Sequence, residues 1–157
     1  MGTHYKGTAK EINSLNVYIK LIRTSDSIRS RMNLLLQEKG LTESQFSMLD
    51  TLFHVGPLSQ SELGKKLFKS GGNITMVVDN LEKRELVKRE RNNNDRRLFT
   101  IKLTKQGKSL IGKLFPKMLA PLVDEINILT ENEQIEFQRI CKLLGLQKTA
   151  DKQTKPI

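Results

Sequence analysis

Apolar residues recur at three- and four-residue steps through most of this 157-residue chain, and this spacing is typical of amphipathic helices. The first such stretch runs over about residues 9–39, and Gly40 is suited to end it because glycine readily adopts the left-handed conformation. Further helix starts are indicated at Thr42, Ser59 and Thr130, where a hydroxyl residue is followed three positions later by Glu or Gln. This spacing allows a capping box, so the chain is predicted to be mainly α-helical.

The middle of the chain contains one more helix and then a change of period. The apolar positions predict a helix over about residues 73–85, after a break at Ser70-Gly71-Gly72. Apolar and polar residues then alternate over 87–91 and over 97–103, which predicts two strands. The Asn and Asp residues at 92–96 favour a tight turn, so the two strands are expected to form a β hairpin.

The C-terminal part of the chain is predicted to be helical again. A helix beginning at Thr104 carries Pro116 and Pro121 inside its apolar pattern, so we expect a bend or a break there. A last helix is predicted from Thr130 to about residue 144.

These elements predict a mainly α fold with a small β hairpin. Residues 41–103 are expected to form one domain that contains the hairpin. Residues 9–40 and 104–146 are expected to form a helical dimerisation region, because their apolar stripes have too little chain around them to be covered within one subunit. Residues 1–8 and the polar tail 147–157 are predicted to be disordered.

Positive charge is concentrated in the middle of the chain. The whole chain has a net charge of +10. Residues 57–108 carry 13 basic and 6 acidic residues and so contribute +7 of this net charge. Such a concentration is typical of a site for a polyanion, although a solubilising surface charge gives the same composition.

Other classes of protein are disfavoured. The single Cys141 permits no intramolecular disulfide and lies on the apolar face of the last helix, where we interpret it as a small buried hydrophobe. His4 and His54 have no neighbouring ligand residues, so neither a metal site nor a cofactor is expected. No phosphate loop or nucleophile motif predicts an enzyme. No signal peptide or membrane-spanning run is present in the sequence, which predicts a cytoplasmic protein without a membrane partner.

The order of helix, short helix, helix and basic hairpin is that of a winged helix-turn-helix, so residues 41–103 are expected to form a winged helix-turn-helix domain that binds DNA. In that arrangement the helix at 73–85 lies in the major groove of duplex DNA, and the wing at 87–103 contacts the backbone or the minor groove. The basic residues are placed where this geometry needs them. They are Lys65, Lys66, Lys69, Lys83, Arg84, Lys88, Arg89, Arg91, Arg96, Arg97 and Lys102.

Two segments of the chain resemble the MarR family of winged helix-turn-helix transcription regulators, and the resemblance covers about residues 12–144. Residues 74–89 are similar to the family's recognition helix and first wing strand. The second segment is similar to the family's wing motif, which in this chain consists of Asp95, Arg97, Leu103, Thr104 and Gly107. Glu85 departs from the pattern, because the family usually has a glycine there that ends the helix with a left-handed turn.

The resemblance implies a homodimer, with the first and last helices of each chain at the dimer interface, that binds a pseudo-palindromic operator in double-stranded DNA. It also implies that Arg97 enters the minor groove and that Asp95 orients the neighbouring basic residues of the wing. Members of the family often bind small aromatic acids or phenols, so a repressor released by such a ligand is expected. Some relatives sense oxidants through a cysteine in the first helix, and this chain has none there.

The side chains expected to read bases lie in the first turn of the 73–85 helix. Asn73 can pair with adenine, and Thr75 and Met76 can touch a thymine methyl. Alternatively, Asn73 is a local helix cap and Met76 lies partly in the core. In the wing, Arg97 suits a narrow A·T-rich groove or is simply solvated, and Asp95 is either an orienting residue or a plain turn former.

The remaining predicted contacts go to the DNA backbone. Ser70 and Gly72 lie at a helix N-terminus, which is suited to a phosphate. Basic side chains complete the set, namely Lys65, Lys69 and Arg84 for phosphates, and Arg91, Arg96 and Arg97 in the wing.

Two alternatives remain open. The charge also permits an RNA-binding winged-helix module, which the absence of aromatic stacking residues on the wing disfavours. A scaffold without a nucleic-acid role is disfavoured by the basic charge between Lys65 and Lys105.

Overall fold

A computed structural model describes residues 3–67, 70–91 and 99–146 of the chain. Within these ranges the fold is mainly helical with one small antiparallel sheet, which confirms the predicted fold class. The helices are α1 (Ala9–Gln37), α2 (Glu43–Val55), α3 (Gln60–Lys66), α4 (Gly71–Lys83), α5 (Lys105–Ile126) and α6 (Glu131–Leu146). The strands are β1 (Leu58–Ser59), β2 (Val87–Arg91) and β3 (Phe99–Leu103).

The predicted helix starts are confirmed, since capping boxes begin α2 at Thr42 and α3 at Ser59. Thr130 makes the same reciprocal bonds with Glu133 at the start of α6. A further capping box, between Thr8 and Glu11, begins α1. The disorder expected for residues 1–8 stays a prediction; in the described part of this segment the Thr3 N–H donates to Asn16 Oδ1 of α1 at 2.8 Å.

The structure corrects the predicted start of the helix at 73–85. Helix α4 begins at Gly71 and its N-cap is Ser70, so the two glycines form its first turn instead of ending in a break. Glycine costs a helix about 1 kcal/mol relative to alanine, and the buried face of α4 offsets this cost through its packing. Asn73 is therefore the third residue of the helix and lies almost one turn from the cap.

Helix α5 is continuous through Pro116 and Pro121, so the break expected at these prolines does not occur. A proline removes the hydrogen bond to the carbonyl four residues earlier. Here those carbonyls belong to Gly112 and Lys117, which are exposed, as both prolines are. Solvent can hydrate the freed carbonyls, so the helix continues.

The ends of α1 and α4 share one geometry. After α4, the Leu86 N–H donates to Leu81 O and the Glu85 N–H donates to Glu82 O, each at 2.9 Å. This is the Schellman pattern, which requires a left-handed residue, and Glu85 supplies it with φ +58°. Gly40, with φ +62°, ends α1 in the same way. Glu85 therefore adopts the conformation for which glycine is the usual residue.

Replacing Glu85 with glycine is expected to raise the free energy of unfolding by about 1 kcal/mol, because a residue with a Cβ is strained in the left-handed region. Gly40→Ala is the matched control and is expected to lower it by a similar amount. Strain alone acts there, since the nearest atom to an added Cβ is Arg84 Nη2 at 4.0 Å. Denaturant unfolding at one fixed chain concentration measures both, and equal signs for the two variants would contradict the explanation.

The sheet has the order β1-β3-β2, with all neighbours antiparallel. Pairing of β2 with β3, from Val87↔Leu103 to Arg91↔Phe99, confirms the predicted hairpin over the described residues. The additional strand β1 consists of two residues that pair with Ile101 and Thr100. Ser59 both ends this strand and caps α3, so the sheet and the helix-turn-helix are joined at one residue.

By compactness the chain divides into two units, Met1–Met118 and Leu119–Ile157. The core of the first unit is built by the end of α1, by α2, α3 and α4, by the sheet and by the first half of α5. Its largest fully buried side chains include Met48, Leu49, Leu63, Ile74, Leu81, Ile101 and Ile111. The second unit contains the end of α5 and all of α6. No helix in the described part of the chain is long and apolar enough to span a membrane.

Candidate nucleic-acid interface

The exposed face of α4 carries the residues predicted to read bases. Its opposite face is buried through Ile74, Val77, Val78 and Leu81, so the register of the helix is fixed by the core. Met76 has 57% of its surface exposed, which decides against a position in the core. Asn73 is exposed, and within the described ranges its side chain makes no hydrogen bond, so it does not act as a cap.

Thr75 is exposed beside these residues, but its hydroxyl is already engaged. The Thr75 Oγ1–H donates to Gly71 O at 3.1 Å, and the same oxygen accepts from Gln60 Nε2 at 3.2 Å. The methyl group is thus the part of Thr75 best suited to a base, and its natural partner is a thymine methyl. Gln60 was missed by the sequence analysis, because nothing in the local pattern shows that α3 packs against α4 at this point.

The N-terminal end of α4 has the features predicted for a phosphate contact. Ser70, Gly71 and Gly72 are exposed, and the Ser70 side chain makes no capping hydrogen bond. The free N–H groups and positive dipole end of the helix favour an anion. Lys65 is exposed on the preceding helix, while Lys69 lies outside the described residues.

Arg84 lies at the other end of α4 and has a role within the fold. Its Nη1 donates to Gly40 O at 2.7 Å, so it connects the end of α4 to the end of α1. This bond occupies part of the guanidinium, and the predicted phosphate contact of Arg84 stays a prediction.

Three of the basic wing residues are paired with acids of the chain itself. Glu90 accepts from Lys88 Nζ on the same strand at 2.8 Å and from Lys102 Nζ on the paired strand β3 at 2.5 Å. Hydrogen bonds from Lys102 and then Lys88 lower the pKa of Glu90 below its ordinary value, so this group is charged at neutral pH. Wing charge is therefore smaller than a count of lysines and arginines indicates.

The third paired cation is Arg89, whose guanidinium bonds both Asp79 and Glu82 of α4. Its backbone N–H also donates to Glu82 Oε1, at 2.9 Å. Burial opposes the charged form of Arg89, but the hydrogen bonds to Asp79 and Glu82 raise its pKa. The first wing strand is thus attached directly to the helix that carries the predicted base readers.

The structure describes the wing up to Arg91 and again from Phe99. Arg91 is exposed at the end of β2, and no ion pair of Arg91 occurs within the described ranges. Asp95, Arg96 and Arg97 lie outside the described residues. Phe99 is 42% exposed on β3, so the argument that the wing lacks an aromatic side chain was wrong.

Part of the predicted wing motif connects the start of α5 to the turn after α4, namely Leu103, Thr104 and Gly107. Thr104 Oγ1 accepts from the Gly107 N–H at 3.0 Å and donates to Glu85 O at 2.6 Å. The Thr104 N–H donates to Leu86 O at 3.1 Å. A Cβ on residue 107 would lie 2.0 Å from Leu86 O, so only glycine lets α5 start this close to the turn after α4.

The other residues considered from the sequence show no competing site. Cys141 is half-buried and unpaired on α6. His54 Nδ1 lies 3.0 Å from Asp50 Oδ1, and its ring contacts Phe53 and Phe115 edge-on. Among the described residues, no group of three or more His, Cys, Asp or Glu is placed to hold a metal ion.

The helix-turn-helix of α3 and α4, with a hairpin beside it and an exposed basic surface, defines a winged-helix protein. Residues 41–99 match the MarR family model. The chain is 34% identical over 133 residues to the transcriptional regulator MhqR of Bacillus subtilis, covering 85% of this chain and 92% of that protein. It is 34% identical over 125 residues to the regulator PrsX of Escherichia coli, covering 78% and 75%. This protein belongs to the MarR family, whose members are transcription regulators and not enzymes.

Solved structures agree with this assignment. A mutant of MarR from Escherichia coli in complex with operator DNA matches with a TM-score of 0.74 and 25% identity, covering 84% of this chain and 96% of that one. The MarR-family regulator AbsC of Streptomyces coelicolor matches with a TM-score of 0.80 over 90% and 96% of the two chains, and its 19% identity supports the fold alone.

Proposed function

We propose that this protein is a sequence-specific transcription repressor that binds a pseudo-palindromic operator in double-stranded DNA as a homodimer. The observation that carries the proposal is the outward face of α4, where Asn73, Thr75 and Met76 are exposed while the opposite face is fixed in the core. Side chains held in this way on one face of a helix are what base readout in the major groove requires. Such a regulator acts in the cytoplasm, where the DNA is.

The contacts around this helix follow from the same placement. Ser70, Gly72 and Lys65 are exposed at the N-terminal end of α4 and on α3, where they suit DNA phosphates. We assign Lys69 and Arg84 to phosphates as well. In the wing, Arg91, Arg96 and Arg97 are the proposed DNA contacts. Of these, Arg97 is assigned to the minor groove, with Asp95 orienting its basic neighbours.

Exposed apolar residues support the homodimer. On α1 they are Val17, Tyr18, Leu21 and Ile22, and on α6 they are Ile135, Phe137, Ile140, Leu143 and Leu144. On each helix taken by itself, these residues follow one another at helical spacing, and contiguous exposed apolar surface of this kind is uncommon on a monomer and marks an interaction face. Two-fold symmetry of a dimer would present two α4 helices to one duplex, which requires an operator with two related half-sites.

A cavity in the first unit supports release by a small aromatic acid. It has a volume of about 360 Å³ and lies between α2, β3 and the start of α5. Apolar side chains, including Phe53 and Leu103, line one part of it, and Lys102, Lys105 and Lys108 line another. The Lys102 ammonium is already paired with Glu90, but an apolar wall next to Lys105 and Lys108 suits an aromatic ring bearing a carboxylate or phenolate.

Selection of binding sites from random duplex DNA tests the function. We expect an enriched site with two inverted half-sites about one helical turn apart, bound by two chains, in preference to RNA of the same sequence. Adding benzoate-type acids to this complex is expected to release the DNA. Equal binding to random DNA at every salt concentration would contradict the repressor, and preference for RNA would favour the alternative module. A complex of one chain would contradict the dimer.

A further inference from the structure

The two acids of α4 are both bonded by one arginine of the wing. Helix α4 contains Asp79 and Glu82 as its only acidic residues, and Arg89 on β2 binds both of them, using Nη2 for Asp79 and Nη1 for Glu82. The register places Arg89 opposite the fully buried Ile101, so its side chain lies on the sheet face directed at the core. The arginine side chain is accordingly only 22% exposed.

The position of these acids matters for DNA binding. Asp79 follows Thr75 by four residues and Met76 by three, and residues at these spacings are neighbours on a helix surface. An unpaired carboxylate at this place would lie beside the base-reading side chains and would repel the phosphates of an approaching duplex. Its ion pair with Arg89 reduces that repulsion.

A direct phosphate contact is a poor explanation for Arg89. Both of its Nη atoms already donate to carboxylates, and most of its side chain is covered. Arg91, two residues further along the same strand, is exposed and better placed for that purpose. Glu82 adds a second connection through the Arg89 backbone N–H, so the same set of bonds also fixes the position of β2 relative to α4.

We infer that Arg89 is a positioning residue: it neutralises Asp79 and Glu82 and holds the wing in register with the recognition helix, without contacting DNA itself. The expected effect of Arg89 on operator affinity rests on the proposed DNA-binding function. We call the bonds from Arg89 to Asp79 and Glu82 the clamp. The clamp is a property of the free protein and can be measured without DNA.

Four forms of the full chain test the clamp: wild type, Arg89→Gln, the pair Asp79→Asn with Glu82→Gln, and the combination of all three changes. In denaturant unfolding of the free protein, we expect the effects of the arginine change and of the acid changes to be coupled. The equilibrium constant for unfolding of the triple variant should be at least tenfold smaller than the separate effects, added as free energies, predict. Additive effects would overturn the inference, whatever the protein does with DNA.

The same four forms are then compared for affinity to the selected operator, at a temperature where all are folded. Arg89→Gln is expected to weaken binding at least tenfold, because it leaves two carboxylates without their cation. The triple variant is expected to return within about threefold of wild type, because it carries no carboxylate there and Gln at position 82 can still accept from the backbone N–H of residue 89. Arg91→Gln is the matched control from the same strand, and the two acid changes should not rescue its loss. A triple variant as weak as Arg89→Gln would show that removing the two carboxylates does not replace the arginine, and would overturn the inference. If the wild type shows no preference for the operator sequence, the proposed function is refuted. The unfolding measurements on the four forms still show whether the clamp exists.

Discussion

Gly107→Ala is expected to lower the free energy of unfolding by about 3 kcal/mol. The added Cβ would lie 2.0 Å from the backbone oxygen of Leu86 and 2.9 Å from its carbon. Backbone atoms cannot rotate out of the way as a side-chain end does. To relieve the clash, α5 must therefore move away from Leu86, and Thr104 then loses its bonds to Glu85 O and Leu86 O.

Gly112→Ala is the matched control, because it makes the same change on the same helix. There the nearest atoms to a new Cβ are ring carbons of Phe53 at 3.7 Å, an ordinary contact distance. Alanine also has the higher helix propensity, by about 1 kcal/mol, so this variant is expected to be as stable as wild type or more stable. Denaturant unfolding at one chain concentration compares the two. Equal losses would show that the close approach at Gly107 is not what fixes α5.

The second large effect is on specificity. The double variant Asn73→Ala, Met76→Ala is expected to bind the selected operator at least 100-fold more weakly, since each good base contact contributes about 1–3 kcal/mol. Its affinity for random duplex should change by less than threefold, because phosphate contacts are left in place. Stability should be unaffected, as both side chains are exposed on α4. Fluorescence anisotropy with operator and random duplexes of equal length measures the ratio.

Val55→Ala controls for the loss of exposed apolar surface, since Val55 is 53% exposed at the end of α2 and has no predicted DNA contact. Its operator affinity should equal that of wild type. A double variant at Asn73 and Met76 that keeps its preference for the operator would mean that bases are read elsewhere.

Local patterns predicted much of the fold, because short-range interactions determine those features. The hydroxyl residue and the acid or amide three positions later at Thr42, Ser59 and Thr130 correctly marked three helix starts. The alternation after Val87 correctly predicted paired strands, with Ile101 buried. The left-handed turn at Glu85 could be anticipated only from the family pattern, in which glycine stands at that position.

Features that depend on distant parts of the chain were not predictable. Strand β1 is too short to show any alternation, and it exists because β3 offers a free edge to Leu58 and Ser59. Continuation of α5 through its prolines depends on their exposure, which no local rule gives. The first turn of α4 was missed because two glycines normally indicate a break.

For the candidate site, sequence identified the surface but not its internal bonds. Asn73, Thr75 and Met76 are exposed on one helix, as the base-reading hypothesis requires. The hydroxyl of Thr75 is nevertheless engaged by Gln60. Charge counting also treated every wing cation alike, whereas Arg89 is committed to acids of α4. Such pairings depend on tertiary packing and require the three-dimensional structure.

The central claim is that α4 and the wing contact one duplex together, α4 in the major groove and the wing in the minor groove. Dimethyl sulfate footprinting of the selected operator tests both parts at once, since the reagent methylates guanine N7 in the major groove and adenine N3 in the minor groove. We predict protected guanines within each half-site and protected adenines beside it, with two-fold symmetry. Protection in only one groove, or no protection when all of the DNA is bound, would contradict joint binding of one duplex by α4 and the wing.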